Sequence, residues 1–208
     1  TQTSATPAVF RGIYEPFDYP GEDNLLDGTA STADGFGTWN NGVPGWVLSE
    51  LSYPDLPTAS NAMRSPAGRQ SLSMDTPLSS GTKWISYLWS HSPGDPGGNM
   101  NGVYFLNGGT GLYFGIGYPN SATEGKFGLA SINTVGTAPQ GTSLLANTGL
   151  AYPYGGTKLI VLKIDFDTSG NNDTITVYVN PTANQTAPDG TAAAVYAGFD
   201  VGTISGIG

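Results

Sequence analysis

The chain has 208 residues and a formal charge of −9, from 7 Lys or Arg against 16 Asp or Glu. That balance repels nucleic-acid phosphates and anionic lipid, and no run of about 18 apolar residues is present to span a bilayer as a helix. Zero cysteines exclude disulfides, thiolate metal sites and cysteine nucleophiles.

The first residues, "TQTSATPAVF", lack Met and are nearly uncharged, which suits an exported chain after removal of its signal segment. We expect residues 1–12 to form an extended arm and residues 13–208 a single domain, a length normal for one β-sandwich. Charged residues make up 11% of the chain, 31 glycines and 15 prolines punctuate it, and 38% is hydrophobic, enough for a sizeable core. Predicted strands follow in order at 82–90, 102–107, 111–117, 126–132, 157–166, 173–181 and 192–200, each short and bounded by Gly, Pro, Asn or Ser. In "GLYFGIG", Leu112, Phe114 and Ile116 share one face, the period of a strand with one buried side. Trp84 and Trp89 have opposite parity, so at least one of them should pack inside. The best helical candidate is "SLLANTGL", residues 143–150, two turns at most. These elements predict an all-β, antiparallel two-sheet sandwich.

The stretch "KIDFDTSGNNDTITVYVNP", residues 163–181, has two readings. Asp165, Asp167, Ser169 and Gly170 match the opening of a calcium loop, but the twelfth position of such a loop, an acidic bidentate ligand, is Thr176 here. Ile160, Leu162, Ile164 and Phe166 alternate with Val161, Lys163, Asp165 and Asp167. Ile175, Val177 and Val179 alternate with Thr174, Thr176 and Tyr178. Two strands joined by "TSGNN" satisfy every letter, so the hairpin is expected.

This segment resembles a recurring stretch of bacterial exported proteins with a concanavalin A-like, laminin-G-like jelly roll. "YEPFDYP", "GFGTWNNGVPGW", "LSSGTKWISYLWS" and "GVYFLNGGTGLYFGIGYPN" look like successive blocks of the same family. The resemblance implies a secreted or cell-surface jelly-roll sandwich. It implies no single activity, because that fold serves lectins, glycan hydrolases and adhesion modules alike.

Candidate chemistry is sparse. The Glu-x-Asp-x-x-Glu motif of related hydrolases is absent, and Glu15, Glu22, Glu50 and Glu124 are the only glutamates. One histidine, His91, stands in a loop, without the ligand set that zinc or blue copper uses. A non-enzymatic protein is therefore expected. Sugar rings stack on aromatics beside amide and carboxylate groups, which makes Asp95, Asn99 and Asn101 near Tyr104, and Tyr152 with Tyr154, candidate glycan contacts. No cofactor is expected, calcium being the alternative, with Glu22, Asp23, Asn24 and Asp27 as its weak oxygen cluster. Asn172 and Asn184 head Asn-x-Thr sequons.

Relatives in the resembling family continue past the segment matching "FDVGTISGIG" into one more strand. Ending at Gly208 predicts a sandwich short of its final strand, with an exposed edge to be covered. The arm, through Ala8, Val9 and Phe10, would fill that gap in a neighbouring copy. Open head-to-tail contacts propagate, so the expectation is a self-associating extracellular filament or surface-layer subunit. A lectin-like, glycan-binding module is the alternative, and a glycan-active enzyme the third reading.

Overall fold

The computed structural model describes residues 36–40, 46–49, 54, 56, 61–64, 71–90, 101–107, 110–116, 126–133, 141–151, 156–169, 172–183, 187–188 and 190–208. Among them the regular structure is entirely strand. In chain order the strands are β1 (Phe36–Asn40), β2 (Trp46–Ser49), β3 (Asn61–Arg64), β4 (Ser71–Leu78), β5 (Gly81–Trp89), β6 (Asn101–Asn107) and β7 (Thr110–Ile116). They continue with β8 (Lys126–Asn133), β9 (Gly141–Ala151), β10 (Lys158–Phe166), β11 (Asp173–Val179), β12 (Ala194–Phe199) and β13 (Ile204–Ile207).

Two main sheets form, both antiparallel. One has the order β1-β4-β13-β6-β7-β8-β9 and the other β12-β11-β10-β5, with β2 and β3 as a separate pair. The core lies between the main sheets. Ile160, Leu162 and Ile164 of β10 and Ile175 and Val177 of β11 are fully buried. They pack with Met74, Phe105 and Ile204 from the larger sheet. Their alternation follows from the pleat, which sends successive side chains to opposite faces. Each such side chain contributes about 1.5–3 kcal/mol by leaving water.

The expected hairpin is present. β10 and β11 pair from Ile160↔Val179 to Asp165↔Thr174. The predicted faces hold: Lys163 and Asp165 are partly exposed while their neighbours are buried. Trp89 is buried and Trp84 is 37% exposed, as opposite parity requires.

One expectation is corrected. Residues 143–150 belong to the strand β9, paired along β8 with several register shifts, and are not a helix. The segment carries Asn147, Thr148 and Gly149, poor helix formers, so sheet pairing decides its state. "ISGI" is itself a strand, β13, hydrogen-bonded to β4 on one side and β6 on the other. The Gly208 N–H donates to the Tyr104 carbonyl at 3.0 Å, and the Tyr104 N–H donates to the Gly208 carbonyl at 2.6 Å.

β13 fits because of its glycine. A Cβ at Gly206 would stand 2.8 Å from the Leu72 carbonyl oxygen, so only a residue without a side chain lets the two backbones pair there. On β4, Pro77 falls inside the register irregularity opposite β13, between Ser73 and Leu78, where its missing N–H costs the ladder nothing.

Candidate functional site

Most of the expected site residues lie outside the described residues: Ala8, Val9 and Phe10 of the arm, Glu22, Asp23, Asn24 and Asp27 of the oxygen cluster, and Asp95, Asn99, Tyr152 and Tyr154 among the glycan contacts. His91 and the four glutamates lie outside them as well. Asn101 opens β6, opposite Ile116 of β7. Tyr104 is 6% exposed, so its ring is engaged with the protein and offers no surface for a sugar to stack on. Among the described residues no group of three His, Cys, Asp or Glu stands together as a metal site.

A different set of polar and aromatic groups comes together on the outer face of the four-stranded sheet. Strand register builds it. β10 pairs with β5 through Lys163↔Trp84 and Asp165↔Thr82, and with β11 through Val161↔Tyr178 and Lys163↔Thr176. All of these side chains point away from the core by parity. The Trp84 and Tyr178 rings stand with centroids 6.3 Å apart and planes tilted by 35°. Their strands are separated by β10, and two strand spacings amount to about 9.5 Å. Both rings therefore lean inward over β10 and make one continuous apolar surface.

Beside the rings is a hydrogen-bonded polar set. The Thr82 hydroxyl donates to Asp165 Oδ1 at 2.6 Å, and the Lys163 ammonium donates to Asp165 Oδ2 at 2.6 Å. Partial burial pushes the Asp165 carboxyl up, but the hydrogen bonds from Lys163 and Thr82 and the ammonium charge outweigh it. The net result is a pKa below the ordinary aspartate value. The group is ionised at neutral pH, which suits an acceptor of hydroxyl hydrogen bonds and not a proton donor. Val195 of β12, 60% exposed, extends the apolar character of the same face.

At the end of the hairpin, Asp167 accepts from the Ser169 hydroxyl and backbone N–H, which lowers its pKa. Asp173 is of another kind. It is 2% exposed, with Oδ1 accepting the Asp167 N–H at 2.6 Å and Oδ2 the Val201 N–H at 2.8 Å. Both oxygens serve the backbone, so this carboxylate is structural.

Sequence reasoning did not find the Trp84 face, although one signal was available. Thr, Trp and Ser alternate with Lys, Ile and Tyr along β5, and Val, Lys and Asp alternate with buried aliphatics along β10. Which outward residues adjoin was not readable, because it depends on the register of strands far apart in the chain. Comparison with protein-family models, with curated proteins and with solved structures returns no match.

Proposed function

We propose that this chain is a non-catalytic module of an exported protein that binds extracellular carbohydrate on the outer face of its four-stranded sheet, within a sandwich of the jelly-roll kind. The observation that carries the reading is Trp84, 37% exposed on a strand face and ranged against Tyr178, with an ionised carboxylate, an ammonium and a hydroxyl alongside. A pyranose ring has an apolar face and a polar rim, and this surface offers a counterpart to each. The low charge content and absence of cysteine suit an exported module of this type.

Self-assembly by strand complementation is the second reading, and its arm, Ala8, Val9 and Phe10, lies outside the described residues. Binding takes precedence over assembly because the groups that would carry it, Trp84, Tyr178, Asp165 and Lys163, stand together on one described face. The test is retention of the purified protein on polysaccharides, compared with Trp84→Ala. Loss of retention with an unchanged melting temperature supports the reading. Equal retention of both proteins, or none by either, refutes it.

A further inference from the structure

We infer that the Trp84–Tyr178 face selects uncharged polysaccharide, taking the apolar face of a sugar ring on the aromatics and a pair of adjacent ring hydroxyls on Asp165 and Lys163. This rests on the carbohydrate-binding reading and specifies its ligand. Charge supplies the first reason. The Lys163 ammonium lies 2.6 Å from Asp165 Oδ2, so the two cancel; the outward residues Thr82, Ser86, Thr174 and Thr176 are neutral, and Asp167 just past β10 adds a negative charge. Among the described outward residues no positive surplus remains to hold a polyanion, and the chain as a whole carries −9. An acidic polymer meets repulsion here, whereas an uncharged one meets none.

Hydrogen-bonding capacity supplies the second reason. A carboxylate offers about four lone-pair sites and an ammonium three N–H donors. Thr82 and Lys163 occupy two sites on Asp165, and Asp165 occupies one donor of Lys163. What remains is an acceptor and a donor side by side at a half-exposed position. A sugar hydroxyl both donates and accepts, so two on neighbouring ring carbons can satisfy this pair together without displacing its internal bonds. Trp84 lies directly opposite Lys163 in register, which sets the ring platform next to the polar pair.

Shape supplies the third. The two rings, side by side with planes tilted by 35° and centroids 6.3 Å apart, make a platform about as wide as a sugar ring.

The test uses the full chain in affinity gel electrophoresis and tryptophan-fluorescence titration. Galactomannan, xyloglucan and amylopectin are the uncharged probes, and alginate and polygalacturonate the acidic ones. The expected result is binding to at least one uncharged polymer, insensitive to salt. Affinity should fall about tenfold or more in Trp84→Ala, as the loss of a buried aromatic contact of 1.4 kcal/mol or greater requires. Asp165→Asn should weaken that binding and, by releasing the Lys163 charge, raise affinity for alginate at low salt. Binding confined to the acidic polymers and lost in Trp84→Ala overturns this inference while the carbohydrate reading stands. Binding that survives Trp84→Ala removes the face as the site and overturns both. Failure of all five polymers to bind the folded protein also overturns both.

Discussion

The Asp173 carboxylate accepts the backbone N–H of Val201 at 2.8 Å in the interior, tying the first residue of β11 to the turn that leads into β13, 28 residues later. Its other oxygen holds the Asp167 N–H at the start of the hairpin turn. One buried side chain thus joins the hairpin to the segment that leads into the strand between β4 and β6.

Asp173→Asn keeps the size but replaces one acceptor with a donor that faces a backbone N–H. Hydrogen bonds to charged groups contribute about 1.5–3 kcal/mol, and stranding a buried donor adds a desolvation penalty. We expect a loss of about 2–4 kcal/mol in urea unfolding. A loss under about 0.5 kcal/mol, typical of surface positions, contradicts this role.

Gly206→Val should be among the most damaging changes in β13. Its Cβ would meet the Leu72 carbonyl oxygen at 2.8 Å, and that oxygen belongs to backbone that cannot rotate away. Overpacking of this kind costs about 1–3 kcal/mol or more. The variant should show faster amide exchange at Leu72 and Leu106, beside the displaced strand. Wild-type protection at both would show that β13 tolerates the side chain.

Acid sensitivity follows from two aspartates. Asp165 and Asp167 have folded-state pKa values below the ordinary 3.8. As pH falls past that value the unfolded chain takes up these protons before the folded one does. Their stabilisation is therefore present above about pH 4 and is lost as pH drops through the depressed folded values. Urea midpoints should decline in that window, and Asp165→Asn should flatten the decline. An unchanged slope in the variant would remove Asp165 from the account.

Removing divalent cations should leave the folded state unchanged. The core of Ile160, Leu162, Ile164, Ile175 and Val177 is apolar and needs no ion to assemble. A calcium ion linked to folding would add about 2.7 kcal/mol at a hundredfold excess over its Kd. Equal melting temperatures in chelator and in millimolar calcium are the expected outcome. A rise of many degrees in calcium would return attention to Glu22, Asp23, Asn24 and Asp27.

The sequence by itself determined which stretches are strands where apolar and polar residues alternate cleanly, and which side of each faces inward. β10 and β11 were legible residue by residue, because alternation is a local consequence of the pleat. β13 was not, since four residues containing a glycine carry too little pattern to distinguish a strand from a turn. β4 was hidden in the same way by Pro77, and β9 by the weak helical look of its leucines. The candidate site was less legible still. Trp84 could be placed outside or inside by parity alone, but its company could not, because Thr82 and Asp165 are 83 residues apart. Only the tertiary structure decided that β10 lies between β5 and β11, and that β13 lies between β4 and β6. Those choices rest on which pairing buries the shared apolar faces best across the whole chain, a property no single stretch contains.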